Sequence, residues 1–292
     1  MPSTRDIRRR IKSVKSTAQI TRAMQMVASS KMRKAQLAAL AGRPYATLMN
    51  DVLAAVSEGA GDFTHPLLEM RNGVKRAVIL ISTDKGLCGA LNSNLFREAA
   101  KFDRDTTIYI CAGKKAGQFV SRMKRQLAAE FSYKDNPQFA EARAISKFAQ
   151  DLFLKGEVDR VDVLYTNFIN TLSQKPESRQ LLPIGKIHAL EAGVEGHGEG
   201  GELKKSEVEY LFEPNAGDVL GNLLPHYVNF QVFQFLLEAK ASEHSSRMVA
   251  MKNATDNAKQ LIKDLTLEYN KLRQANITKE LLEITTAQMA MG

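Results

Sequence analysis

Apolar residues return at alternating steps of four and three from the start of the chain: Ile7, Ile11, Val14, Ala18, Thr21, Gln25, Ala28, Met32, Ala35 and Ala39. Eight of the ten are apolar. A mean spacing of 3.5 residues is the seam of a coiled coil, not the wider stripe of a helix lying on a globular core. Residues 3–41 contain no Gly and no Pro. Ser3 or Thr4 can cap the first turn, and Asp6 stands where the helix dipole favours an anion. The pattern predicts one long helix, interrupted at Gly42 and Pro44 and resuming weakly through Leu48, Val52 and Val56 until Gly59 and Gly61.

The other end repeats the pattern. Gly221 and Pro225 read as the last helix breakers, and residues 226–291 have neither type. The same stepping gives Met248, Met251, Ala254, Ala258, Leu261, Leu265, Glu268, Leu272 and Ala275, with Glu268 as the one polar member. As helices, the 66 residues of 226–291 would run ~99 Å and residues 3–41 ~58 Å. A domain between them holds one end of each, so two such helices pair antiparallel. Leu261→Asp is then expected to bury a charge in the pair.

Between the helices the texture changes. Arg76–Ser82, Thr106–Cys111 and Val161–Ile169 are runs of strand-forming residues, and helix-like stretches lie near 89–102, 115–127 and 138–155. Alternation of this kind, with continuously apolar strands, indicates a mostly parallel sheet covered on both faces. Residues 181–187 and 207–213 read as two further strands. Gly193–Gly201, with five Gly in nine residues, reads as a loop. The expected fold class is α/β: a long antiparallel coiled coil of N- and C-terminal helices plus a Rossmann-like, mostly parallel α/β domain. The expected divisions are 1–60, 61–215 and 216–292.

Charge alters this picture at one place. Lys and Arg total 41 and Asp and Glu 32, a surplus of +9. Residues 1–43 hold eleven basic residues and a single acid, Asp6, so the surplus lies in the first helix and the remainder is close to neutral. Such an arm has three readings: a solvated helix face, a nucleic-acid surface, or a surface for an acidic protein. The arm carries no aromatic residue for base stacking, and an apolar seam accompanies the charge, which favours the protein partner. Two cysteines, Cys88 and Cys111, cannot build a disulfide framework or a four-Cys zinc site. The five histidines lack ligand spacing. The longest stretch free of Asp, Glu, Lys and Arg is Val219–Leu237, where 12 of 19 residues are apolar, short of a membrane span. No secretory signal pattern opens the chain. Ser82–Asn92 follows a strand and precedes a helix, where α/β proteins often hold phosphate, but it matches neither G-x-x-x-x-G-K-[ST] nor G-x-G-x-x-G. No catalytic, cofactor or metal site is expected.

Four segments carry a family resemblance: Ile20–Lys34 (ITRAMQMVASSKMRK), Ser82–Asn92 (STDKGLCGALN), Ala241–Asn257 (ASEHSSRMVAMKNATDN) and Tyr269–Ile284 (YNKLRQANITKELLEI). In this order they resemble the gamma subunit of the F-type rotary ATP synthase. The resemblance implies a non-enzymatic central stalk, turned by proton flow through a c ring inside a ring of alpha and beta subunits. The implied partners are the alpha, beta, epsilon and c subunits, with neither nucleic acid nor a second copy of the chain. The implied place is the cytoplasmic face of the bacterial inner membrane, peripheral through the complex. It marks Met24 as meeting an acidic beta loop, and Arg247 as lying in the same energy-coupling region. It marks Lys85, Gly86 and Cys88 as a turn touching the alpha/beta ring beside the lower coiled coil. Gln274, Thr278 and Glu280 match contacts to the beta catch region. Tyr210, Phe212 and Glu213 match a foot segment at the c ring and epsilon. Residues from about Asn270 to Gly292 would be an unpaired tip held in an apolar bearing.

Overall fold

The computed structural model describes residues 3–42, 44–45, 48–49, 52–53, 65–71, 73–184 and 215–291. It divides into two units, Met1–Ala28 with Met248–Gly292, and Ser29–Arg247. The expected strand at 207–213 and the loop Gly193–Gly201 lie outside the described residues.

The first unit is made by the two ends of the chain. Helix α1 (Thr4–Ala41) starts at a reciprocal cap. Ser3 Oγ accepts from the Asp6 amide at 3.2 Å, and the Asp6 carboxylate accepts from the Ser3 hydroxyl at 2.7 Å. These bonds hold the Asp6 carboxyl below its ordinary range. Every seam position read from the sequence of α1 is buried or half-buried, Ile7, Thr21 and Ala28 most deeply within this unit. The opposing helix, numbered α5 (Ala216–Met291) in chain order, turns inward Met251, Thr255, Ala258, Ile262, Leu265, Tyr269 and Leu272. That track keeps steps of four and three throughout and corrects the expected seam. Leu261 is 40% exposed and Glu268 is exposed, so neither lies on it. Glu268, the polar exception in the predicted seam, marks the point where the wrong register shows.

The Thr21 and Thr255 hydroxyls lie 2.7 Å apart in this seam. From that crossing, α1 runs back 17 residues to its first residue, Thr4, and burial on α5 runs forward 17 residues to Leu272. Burial on α5 stops where α1 begins, which requires the two helices to be antiparallel.

The second unit is built on a five-stranded sheet of order β3-β2-β1-β4-β5. Its strands are β1 (Arg76–Ile81), β2 (Thr107–Ala112), β3 (Gln126–Phe131), β4 (Arg160–Phe168) and β5 (Gln174–Leu182). The first four pair in parallel, and β5 pairs antiparallel to β4. Alternate residues feed two cores, as the strand period of two requires. Ala77, Ile79 and Ile81 face helix α4 (Phe139–Leu154) and the first half of α5, whereas Val78 and Leu80 face α2 (Leu91–Ala99) and α3 (Lys114–Arg122). Gly113, between β2 and α3, has φ +100°, and a Cβ there would stand 2.3 Å from the Ser82 carbonyl oxygen, so only glycine fits this crossing.

Three local expectations are corrected. The helix read over 115–127 ends at Arg122, and its tail is the start of β3. The strand read at 181–187 is instead β5, whose residues are mostly polar and include Pro176. Both are edge strands, where one flank of the backbone is unpaired and proline and charge are tolerated. Gly221 and Pro225 do not end a helix: α5 starts at Ala216 and runs through both. Asn215 caps it, its Oδ1 accepting from the Asp218 amide at 2.8 Å. Leu220, Leu224, Tyr227 and Val228, on both sides of Pro225, are buried in the same core. Burying that stripe outweighs the hydrogen bond and steric fit that the proline forfeits, a cost of ~3 kcal/mol.

Candidate functional site

In the second unit, the turn after β1 is held from three sides. Ser82 Oγ accepts from the Ala116 amide at 2.7 Å, and Tyr133 donates to the Ser82 carbonyl at 2.9 Å. Asn92 Nδ2 donates to Thr83 Oγ1 at 2.7 Å, and that hydroxyl donates to the Lys85 carbonyl at 2.8 Å. Asp84 accepts from the Lys114 amide at 2.9 Å. Leu87 and Gly89 both have positive φ, 63° and 59°. Helix α5 closes the third side: Ser246 Oγ donates to the Cys88 carbonyl at 2.7 Å, and Arg247 Nη2 donates to the Lys85 and Gly86 carbonyls at 3.3 Å each.

The structure therefore brings together four residues that the sequence reading singled out: Lys85, Gly86, Cys88 and Arg247. It also assigns them different parts. Lys85, Gly86 and Leu87 are exposed at the tip of the turn. Cys88 is buried beside Asn92, so the surface of the turn is made by its neighbours and not by the sulfur. Burial raises the Cys88 thiol above its ordinary range, with Arg247 opposing, so it stays protonated at neutral pH.

Arg247 is anchored in a buried charge cluster that the sequence reading missed. Its guanidinium pairs with Glu243 at 2.8 Å, and Glu243 also pairs with Lys240 at 3.0 Å. Lys240 is 1% exposed, lies 4.4 Å from the centre of the Tyr133 ring, and is 3.8 Å from Asp135. Asp135 also takes an ion pair from Lys31 of α1. The hydrogen bond from Lys31, followed by the charges of Lys240 and Lys31, lowers the Asp135 carboxyl. Close by, His244 is buried with neither ring nitrogen bonded to a described residue, and burial pushes it down to about 4. Six residues earlier on the same helix, burial pushes the Glu238 carboxyl up to about 7. The stretch Glu238–Arg247 looks like a solvated helix face in sequence. The one available signal was its charge spacing, Lys240 to Glu243 at i,i+3 and Glu243 to Arg247 at i,i+4.

Met24, Gln274, Thr278 and Glu280 lie in the first unit. Met24 is half-buried at the edge of the seam. Gln274, Thr278 and Glu280 are exposed on the stretch of α5 beyond Leu272, where Thr278 donates back to the Gln274 carbonyl at 3.0 Å. Ile277, Leu281, Leu282, Ile284 and Met289 are exposed there too. A solitary helix with this much uncovered apolar surface is built to lie against another molecule. Tyr210, Phe212 and Glu213 lie outside the described residues. Among the described residues no His, Cys, Asp or Glu group could hold a metal ion, and no helix is long and apolar enough to cross a membrane.

Comparison with known proteins gives one consistent answer. A family model described as ATP synthase matches residues 3–291. The ATP synthase gamma chain of Opitutus terrae is 51% identical over 99% of both chains, and that of Methylacidiphilum infernorum is 48% identical over the full length of both. Among solved structures, a chain of the Tetrahymena thermophila mitochondrial ATP synthase central stalk and c ring is 26% identical. It matches with a TM-score of 0.60, covering 80% of this chain and 99% of its own. A chain of the Euglena gracilis mitochondrial ATP synthase (OSCP/F1/c-ring) shares the fold at a TM-score of 0.68 and 22% identity, covering 99% of this chain and 94% of its own.

Proposed function

We infer that this chain, which belongs to the ATP synthase gamma-chain family, turns as the central stalk that couples proton flow through a c ring to ATP synthesis in an alpha/beta ring. It is a gamma subunit, a non-catalytic member of the rotary complex. Its partners are the alpha, beta, epsilon and c subunits. Its place is peripheral to a membrane, on the cytoplasmic face of the bacterial inner membrane.

The observation that carries this reading is the end of α5. Beyond Leu272 the helix is not covered by any of the described residues, and it exposes a run of apolar side chains with no aromatic bulk. A bearing needs such a surface, because smooth aliphatic contact changes little as the helix turns. The basic face of α1 supplies a second contact. Charge attraction falls off gradually with distance, over ~8 Å at physiological salt, so it survives rotation that fixed packing would not. Met24 is assigned to an acidic beta loop. Lys85, Gly86 and Leu87 form a contact with the ring, the tip of a turn that Arg247 holds in shape. Gln274, Thr278 and Glu280 meet the beta catch region, and Tyr210, Phe212 and Glu213 meet the c ring and epsilon. The stalk has different faces, so each beta subunit meets a different surface in turn, and its nucleotide site shifts among states by differential contact.

The test is reconstitution with alpha and beta subunits and the membrane sector. The chain is expected in one copy per six ring subunits, and Met24→Lys is expected to lower proton pumping per ATP hydrolysed. A ring that stays fully coupled without this chain would overturn the inference. Unchanged pumping in Met24→Lys would remove the assignment of Met24 alone.

A further inference from the structure

A pocket of about 260 Å³ opens within the second unit, between the end of α1, the end of β4 and the first third of α5. Its walls include Ala39, Leu40, Phe168 and Ala241. Gln234 and Glu238 also line it. Glu238 is 7% exposed. Its Oε1 accepts from Gln234 Nε2 at 3.3 Å, while its buried Oε2 has no hydrogen-bond partner among the described residues. The nearest strong cation, Arg179 of β5, is already paired with Glu177 at 2.7 Å. Glu238 is thus a buried carboxyl in a mostly apolar cavity, faced by the Tyr165 side chain and by an Arg179 already paired with Glu177, and its Oε2 makes no hydrogen bond of good geometry among the described residues.

An ionised carboxylate in such a place is costly unless it is paired and hydrogen-bonded. A partner that favours the ionised form over the protonated one has a defined chemistry: a positive charge, at least one N–H, and an apolar body. We propose that this pocket binds a small organic cation, a primary ammonium or amidinium on an apolar body, with Glu238 as its counter-ion. The ligand N–H donates to Oε2, a charge-assisted bond about twice as strong as a neutral one. Phe168, in the wall of the pocket, supplies an aromatic surface for the cation or the apolar body. The volume lies just below the ~300–1,000 Å³ of sites for drug-sized ligands, so one ring with a short amine arm is the suitable size. Anions are refused by Glu238. A neutral ligand of the same shape leaves Oε2 unpaired.

The site lies on this chain alone and does not depend on the stalk reading. Phenethylamine, 2-phenylethanol and 3-phenylpropionate are of similar size and differ in charge. Their binding to the full-length chain is measured calorimetrically at about pH 8. The amine is expected to bind about tenfold or more tightly than the alcohol, and the carboxylate not at all. Glu238→Gln, nearly isosteric, is expected to erase the amine preference and leave the alcohol unaffected. In the unmodified chain the amine preference is expected to fall roughly tenfold between about pH 8 and pH 6 as Glu238 takes up a proton. The charged and titratable groups facing that carboxyl are Tyr165 of β4 and Glu177 and Arg179 of β5. The pH series decides the matter if Glu238→Gln fails to fold. An amine no tighter than the alcohol, a preference that persists in Glu238→Gln, or one independent of pH overturns the proposal.

Discussion

Leu265 and Leu261 stand four residues apart on the same helix, and only one of them is on the seam. Changing each to Asp alters helix propensity equally, so that cost cancels in the comparison. Leu265 is 5% exposed. Its replacement forfeits nearly all of the ~2 kcal/mol that a buried leucine contributes. It also places a carboxylate between two helices, at a further ~1–3 kcal/mol. The expected loss is about 3–5 kcal/mol. Leu261 is 40% exposed, so its replacement forfeits about 1 kcal/mol of burial, and the new carboxylate remains hydrated. Helix pairs open locally, so the readout is amide hydrogen exchange over 4–28 and 248–272. At ~1.4 kcal/mol per factor of ten, Leu265→Asp is expected to cut protection there by about 100-fold or more. Leu261→Asp is expected to cut it by about fivefold. Equal losses, or a larger loss for Leu261, would refute the register derived from Met251, Thr255, Ala258 and Ile262.

Burial raises the Glu238 carboxyl to about 7 and lowers His244 to about 4, so acidification favours the folded state through Glu238 and disfavours it through His244. Between about pH 7 and pH 4.5 these slopes oppose; Glu238→Gln is expected to lose urea stability on acidification, His244→Asn to gain it, and parallel profiles would contradict both assignments. Arg247→Met removes the Nη2 group that the Lys85 and Gly86 carbonyls share with the Glu243 carboxylate, and is expected to speed amide exchange over 83–90 about tenfold or more, and by more than in β1, at ~1 kcal/mol or more for the lost bonds. Unchanged exchange in the turn would show that α5 does not hold it. Truncation after Leu272 removes only exposed side chains among those described, so the melting temperature is expected to stay within a degree or two, and a larger drop would mean that the tip packs on the chain itself.

The period of 3.5 residues by itself determined that both ends are long helices with apolar seams, and on α1 it also determined which residues form the seam. On α5 it did not. Two tracks one residue apart, Ala254–Leu261–Glu268 and Thr255–Ile262–Tyr269, both carry apolar residues, and a pattern along one helix cannot say which faces a partner. The position of α1 decided it, through the Thr21–Thr255 crossing. The apolar runs of β1, β2 and β4 were legible because both faces of those strands are buried. Those of β3 and β5 were not, because an edge strand is specified by backbone pairing with its neighbour and leaves half of its side chains in water. Local reading likewise ended α5 at Pro225, where burial of Leu220, Leu224, Tyr227 and Val228 carried the helix through. The family segments pointed to Lys85, Gly86, Cys88 and Arg247, but their division into exposed tip, buried thiol and internal brace came from packing. Glu238, Lys240, Glu243 and His244 show the limit most plainly. In sequence they are the charged face of a helix. Only the elements packed against that face take them out of water, shift Glu238 and His244 in opposite directions, and leave one carboxyl oxygen of Glu238 without a well-formed hydrogen bond among the described residues. A charge written in the sequence acquires its energy from its surroundings, and those surroundings are supplied by residues far away along the chain.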